Sequence, residues 1–288
     1  MMRVVATGGS GRFGRWVISE LIEHGYDVVN ASRRPRAEMA AEDGPRPMHD
    51  APFREVELRD ADTVARALEG CDAVVHLGAI PHPWGHPDPE IFANNTQSTY
   101  NVLQAAAAHG ARRVVLASSE SVYGHSFAPR GTRPLYVPID EEHPLRPCES
   151  YSLSKEVDEQ TGAMFHRRDG LSVVVLRFLG LMQPGEAASM AREARANPDG
   201  DTSGITGYTD VRDAAVACRL ALEAPDLGYE VINIAAADSF SDEPTEEFVR
   251  RHCPGVEIRG RIPGTGSAWS IARARRLLGY APRHSWRD

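Results

Sequence analysis

Arg3-Val4-Val5-Ala6-Thr7 runs without a break into Gly8-Gly9-Ser10-Gly11-Arg12-Phe13-Gly14, and the reading of this stretch decides the fold. The first five residues are apolar and β-branched, which predicts a short strand. Gly8 and Gly11 permit a tight turn and a close backbone approach to a pyrophosphate. Gly14 lets the following helix pack on the strand, and that helix offers its positive N-terminal end to phosphates. Residues 16–24 carry apolar side chains at helical spacing, Gly25 breaks the pattern, and 26–31 form a second apolar run. Strand, glycine turn, helix, strand is the βαβ unit that binds dinucleotides. A glycine trio alone carries little information; its place between strand and helix is what makes it informative.

Working outward, the second strand ends at Asn30-Ala31-Ser32-Arg33-Arg34. NAD-selective units place an acid here to accept hydrogen bonds from the ribose hydroxyls. An uncharged Ser32 followed by guanidinium suits a 2′-phosphate instead, so NADP is the expected cofactor, with NAD as the alternative. Residues 33–53 are rich in proline and charge and are expected to form a long surface loop. Further strands are expected at 55–58, 71–77, 113–117 and 171–178, with helices at 60–69, 91–109 and 151–166. Strands alternating with helices predict a doubly wound parallel α/β sheet. The proline-rich loop 80–87 follows a strand's carboxyl end, where such sheets place their ligand crevice. His82 and His86 lack a third ligand at a clear spacing, so the loop is read as lining a substrate entrance and no metal is expected. Beyond residue 181 the composition turns rich in Ala, Gly and charge. The chain is therefore divided into a dinucleotide-binding domain, 1–180, and a small substrate lobe, 181–288, with segments around 204–240 returning to the main domain.

Composition bounds the partners. The chain has 288 residues, 42% of them hydrophobic and 25% charged, with a net charge of −8. That balance argues against a nucleic-acid or anionic-membrane surface. No apolar run is long enough to span a bilayer. The opening Met1-Met2-Arg3 leaves no room for a signal peptide, and Cys71, Cys148, Cys218 and Cys253 are far apart without metal or redox spacing. A cytoplasmic protein with reduced thiols and a small-molecule substrate is expected.

The chemistry concentrates in Tyr151-Ser152-Leu153-Ser154-Lys155. On a helix, residues four apart share a face, so a phenol stands beside an ammonium. A fixed cation lowers a phenol's pKa and makes it a proton donor and acceptor for an alcohol or ketone. Ser119, at the end of a parallel strand, is placed to hydrogen-bond a substrate oxygen; the alternative is a turn-capping serine.

Taken together, these motifs with His76-Leu77-Gly78-Ala79, Asn95, the run from Ser118 to Gly124, Leu176-Arg177-Phe178 and Val211-Arg212-Asp213 resemble an extended short-chain dehydrogenase/reductase. The resemblance, within the NAD-dependent epimerase/dehydratase family, covers nearly the whole chain. It implies Tyr151 as the proton-transferring residue, Lys155 as the group that holds the nicotinamide ribose, and Ser119 as the hydroxyl on the reacting oxygen. For the cofactor it implies Gly8, Ser10, Gly11, Arg12, Phe13 and Gly14, then Ser32, Arg33, Leu58, Leu77, Gly78 and Ala79. Asn95, Ala117, Tyr151, Lys155 and Phe178 complete that set, Asn95 mainly in a structural role. For the substrate it implies Ile80, Trp84, Ser119, Glu120, Ser121 and Gly180. It also implies a homodimer through helices 91–109 and 151–166.

The departures concern substrate. Family dehydratases carry an Asp-Glu pair where Glu120 and Ser121 stand, and nucleotide-sugar epimerases usually carry Asn where Gly180 stands. Residues 71–80 resemble the same stretch of uronate dehydrogenases. The expected function is therefore hydride transfer between nicotinamide and a secondary alcohol or ketone of a small sugar-like or polyol substrate. The alternatives are a nucleotide-sugar 4-epimerase or dehydratase, and a non-catalytic NAD(P)-binding protein.

Overall fold

The structure is a computed structural model that describes residues 1–35, 51–128, 132–196, 205, 207–225 and 227–288. Most of the expected loop 33–53 lies outside the described residues. The first half of the chain runs β1 (Arg3–Thr7), α1 (Gly14–Glu23), β2 (Asp27–Ser32), β3 (Phe53–Glu55), α2 (Ala61–Ala67), β4 (Ala73–His76), α3 (Asp88–Ala108) and β5 (Arg113–Ser119). A 3-10 turn (Glu120–Tyr123), β6 (Tyr136–Val137), α4 (Ser150–Asp169), β7 (Ser172–Phe178), β8 (Leu181–Met182) and α5 (Glu186–Ala196) follow. The remainder is β9 (Thr209–Asp210), α6 (Val211–Glu223), β10 (Tyr229–Ile234), α7 (Thr245–His252), β11 (Glu257–Ile258) and α8 (Ala272–Leu278).

Seven strands form one sheet in the order β10-β7-β5-β4-β1-β2-β3, and every pairing in it is parallel. Strand side chains alternate between faces. Val4, Ala6, Val75 and Val115 pack toward α1 and α6, whereas Val5, Val74, Val114 and Leu116 pack toward α2, α3 and α4. Burial on both faces is why these strands read as continuous apolar runs. From β1 the chain winds first toward β2 and β3, then returns to β4 and proceeds the other way. The strand order reverses between β1 and β4, and a crevice opens there at the carboxyl ends.

Sequence and structure differ in detail. The third strand falls at Phe53–Glu55 rather than 55–58, because β2 pairs with 53–55 in register and the chain then turns inward, burying Val56. Two small parallel pairs, β6 with β11 and β8 with β9, lie outside the main sheet. At two residues each they are too short to show a period in sequence.

Candidate active site

The glycine turn and the β4 turn meet across the crevice. Gly8 has φ +70°, and a Cβ there would lie 2.8 Å from Gly78 Cα; a Cβ on Gly14 would lie 2.3 Å from Gly8 O. Only glycine fits a backbone packed this closely. No side chain caps α1, and its first turn holds no acid, so its N-terminal N–H groups and dipole suit an anion. The cradle therefore fits a dinucleotide pyrophosphate.

Around it, Ser10 N donates to Ser32 Oγ (3.1 Å), Ser32 Oγ to Asn30 Oδ1 (2.9 Å) and Ser10 Oγ to Arg34 O (2.8 Å). Ser32 is buried, its hydroxyl holding the end of β2 to the glycine turn, while Arg33 and Arg34 are exposed. The Arg12 guanidinium pairs with Glu186 of α5. Phe13 meets Phe178 edge-on at 5.2 Å between ring centroids. Leu77 N donates to Thr7 O (3.1 Å), and Leu58 packs against Gly78.

The second half of the site is built by α4. Glu149 caps this helix, accepting from Tyr151 N (2.6 Å) and Ser152 N (2.8 Å), which fixes Tyr151 in the first turn. Tyr151 is 7% exposed and packs with Ile80 and Ile91. Its phenol faces the Ser119 hydroxyl, which favours the phenol's charged form. Ser119 Oγ accepts from Ser121 N (3.1 Å), capping the 3-10 turn, the alternative expected of this serine. Lys155 Nζ donates to Ala117 O (3.0 Å) and to Asp158 Oδ2 (3.3 Å).

The phenol's pKa is raised, not lowered as its spacing to Lys155 predicts. Burial is the largest influence and raises it; the Ser119 hydroxyl works against burial, and Glu120, Glu149 and Asp158 add to the rise. Lys155 turns its charge toward Asp158 instead. The phenol is therefore firmly protonated in this state.

Glu120 follows Ser119 and is 8% exposed. Its Oε2 has no hydrogen-bond partner among the described residues. Burial pushes its carboxyl up to about 7, with Ser126 hydrogen-bonding in the opposite sense. Ser121 is fully buried. Asn95 Oδ1 accepts from Ile80 N (2.8 Å), and its Nδ2 donates to Ile80 O (3.1 Å) and Ser154 Oγ (3.0 Å). It ties the loop after β4 to α4. In that loop His82 stacks on Trp84 (4.8 Å) and Trp84 meets Phe127 edge-on (5.2 Å). Phe127 in turn stands 6.2 Å from the Tyr151 ring, forming an aromatic lip. Ala79 follows Gly78 in the same crevice wall, and Gly180 O accepts from Thr209 N (3.1 Å). His86 pairs with Glu90; among the described residues no three His, Cys, Asp or Glu are grouped to hold a metal ion.

A model of the NAD dependent epimerase/dehydratase family matches residues 4–235. The chain belongs to that family. An L-arabinose 1-dehydrogenase (NAD(P)(+)) of Haloferax volcanii is 33% identical over 68% of this chain and 76% of its own. A UDP-glucose 4-epimerase of Corynebacterium glutamicum is 24% identical over 99% of this chain and 92% of its own. Among solved structures, a short-chain dehydrogenase/reductase superfamily protein from Agrobacterium tumefaciens with bound NAD superposes with a TM-score of 0.74. It shares 24% identity and covers 99% of this chain and 94% of its own. This family member is an NAD(P)-dependent oxidoreductase of the extended short-chain type.

Several site-supporting residues were given no role by the sequence. Arg177 and Glu159 form a buried two-bond ion pair (2.8 and 2.6 Å). Ser118 Oγ donates to Glu159 (2.6 Å), and Tyr123 OH accepts from Arg177 (2.8 Å) and donates to Asn233 (2.8 Å). This network locks α4 to β5, β7 and β10. Arg177 stands in the Leu-Arg-Phe motif, and Glu159 lies four residues after Lys155, on the same helix face.

Proposed function

We propose that the chain is a dehydrogenase/reductase that transfers hydride between a nicotinamide cofactor and a secondary alcohol or ketone of a small, neutral sugar or polyol. The observation that carries this reading is the buried Tyr151 phenol facing the Ser119 hydroxyl, beside Lys155 and the glycine turn. When bound, the nicotinamide supplies or accepts the hydride. Ser119 and Tyr151 hold the substrate oxygen, and Tyr151 donates the proton to it or removes the proton from it. Burial keeps the phenol protonated in the cofactor-free protein, the form that donates to a ketone. Lys155 holds the ribose side of the cofactor. Gly8, Ser10, Gly11, Phe13 and Gly14 hold its pyrophosphate, while Leu58, Leu77, Gly78, Ala79 and Phe178 wall its crevice.

The substrate class follows from the wall around the phenol. Glu120, buried beside Tyr151, disfavours an anionic group close to the reacting carbon. The lip of His82, Trp84 and Phe127 offers flat faces to the apolar side of a sugar ring. An arabinose dehydrogenase relative acts on a neutral aldose, consistent with this choice. We prefer NADP over NAD because Arg33 and Arg34 stand exposed beyond β2 with no acid in the ribose position. The lobe 181–288 closes the crevice from above, its Glu186 reaching Arg12, while β10 joins the main sheet. We assign the protein to the cytoplasm, given that no disulfide joins its four cysteines. We also assign a homodimer through α3 and α4, whose outer groove carries Phe92, Tyr100, Val157 and Thr161.

The test is a panel of aldoses, polyols and their ketones assayed with each cofactor, for the wild type and Tyr151→Phe. The variant should lose at least about a hundredfold in kcat, the usual weight of a positioned acid; undiminished turnover overturns the assignment. The epimerase reading is favoured by relatives such as the Corynebacterium glutamicum enzyme. Cofactor that stays bound at one per chain through gel filtration, with no net reduction of any panel substrate, would support it instead.

A further inference from the structure

Behind Lys155 lies a string of buried polar groups that hydride chemistry does not itself require. Thr7 and Asp158 are fully buried, and Thr99, His76 and Lys155 nearly so. Thr7 Oγ1 lies 2.6 Å from His76 Nδ1, and His76 Nε2 lies 3.2 Å from Thr99 Oγ1. The Thr99 hydroxyl faces the Asp158 carboxylate and favours its charged form, and Asp158 Oδ2 accepts from Lys155 Nζ at 3.3 Å. Thr7 and His76 are register partners on β1 and β4, and Thr99 and Asp158 face each other from α3 and α4. One string thus joins the glycine turn, two strands and two helices to the lysine.

Its polarity follows from the chemistry of the ring. Burial, aided by the Lys155 charge, lowers the His76 pKa to about 3, so the imidazole is neutral, with one donor and one acceptor nitrogen. A Thr99 hydroxyl whose proton is turned to the nearby carboxylate accepts from Nε2–H. Nδ1 then accepts from the Thr7 hydroxyl. Each hydrogen bond in the string points toward Asp158, and such bonds polarise one another.

We propose that Asp158 is the positioning residue for Lys155: a buried counter-ion, backed by Thr99, His76 and Thr7, that aims the ammonium's remaining N–H into the cofactor crevice. The inference rests on the reading of Lys155 as the cofactor's ribose contact. A purely structural aspartate would be satisfied; Asp158 Oδ1 has no hydrogen-bond partner among the described residues, and an apolar residue would pack there at lower cost. Burial pushes its carboxyl up to about 6, against the pull of Lys155 and Thr99, and Glu159 pushes the same way. Of the other groups facing the pair, Glu159 is tied to Arg177, His76 is neutral, and the Tyr151 phenol is protonated. Lys155 therefore loses its counter-ion as the pH falls through about 6.

Asp158→Asn keeps the shape and removes the charge. In cofactor-free protein labelled with 13C-aspartate, a carboxyl resonance with a midpoint near 6 should be present in the wild type and missing in the variant. Titration with NADPH and NADH, followed by fluorescence, should show dissociation constants raised at least about tenfold at neutral pH, the scale of a lost charge-assisted contact. The acid limb of wild-type binding near pH 6 should vanish. Thr99→Val, which leaves the pair intact but removes a donor, should move that limb up by about one pH unit. It carries the test if Asp158→Asn does not fold. Binding and pH profile within about twofold of wild type in Asp158→Asn, or an unmoved limb in Thr99→Val, overturns the proposal. None of these readouts involves substrate, so they stand apart from the fate of Tyr151→Phe.

Discussion

Replacing Glu120 with glutamine should make the protein more stable at alkaline pH and leave it little changed at acid pH. The carboxyl is 8% exposed with one oxygen unpartnered, and burial raises its pKa from 4.5 to about 7. An acid whose folded pKa lies above its unfolded value contributes stability that is fully present below the unfolded value. That contribution is lost as the pH rises through the folded one. Here the window runs from about 4.5 to about 7. At 1.36 kcal/mol per unit, ionising Glu120 in place costs about 3 kcal/mol above the window. The amide retains an oxygen for Ser126 and carries no charge to desolvate. Thermal melts of cofactor-free protein at pH 4.5 and 8.5 provide the assay. For a chain of this size about 3 kcal/mol corresponds to roughly 6 °C, so the variant should melt higher by about that much at pH 8.5 and equal the wild type at pH 4.5. Asp158 also has a raised pKa, but its window closes near 6, so the part of the difference that develops between pH 6 and 8 belongs to Glu120. The same substitution removes a negative charge that raises the Tyr151 pKa, so the alkaline limb of kcat should move to lower pH. Parallel melting curves for the two proteins across the whole range would refute the burial argument and its consequence for the phenol together.

Two further substitutions probe the frame around the site. Arg177→Met leaves Glu159, 3% exposed at its side chain, charged and unpaired in the core, and should cost about 3–5 kcal/mol by urea denaturation. Pairing it with Glu159→Leu should restore most of that loss, and a double variant as unstable as the single one would refute the account. Gly14→Ala would place a Cβ 2.3 Å from Gly8 O, so the turn must open; NADPH binding should weaken at least about tenfold with the melting temperature of the cofactor-free protein changed far less.

The cofactor half of the site was legible in the sequence because steric rules act locally. Gly14 is required by contacts with Gly8 and Gly9 a few residues away, and Gly8 by its own φ of +70° as well as by the distant Gly78; their spacing announces the turn before any packing is known. Tyr151 and Lys155 were legible for a similar reason, since helical spacing alone puts them on one face. What spacing cannot report is where a charge is turned or how much water it loses. Lys155 sits beside Tyr151 in sequence, yet its ammonium is drawn to Asp158 and Ala117 O, and burial governs the phenol instead. Ser32 shows the same limit: its type suggested a ligand contact, whereas its hydroxyl is turned inward to Asn30.

The groups that set the site's electrostatics come from distant parts of the chain. Thr7, His76, Thr99 and Asp158 belong to four different elements and meet only once the sheet is wound, so no window of sequence contains them. Arg177 and Glu159 are 18 residues apart, on a strand and a helix. Their pairing decides how tightly α4, and with it Tyr151, is held against β5 and β7. Burial makes these interactions strong and also makes each unpaired partner expensive. The two half-satisfied acids, Glu120 and Asp158, therefore mark where stability has been set aside to poise a phenol and aim an ammonium.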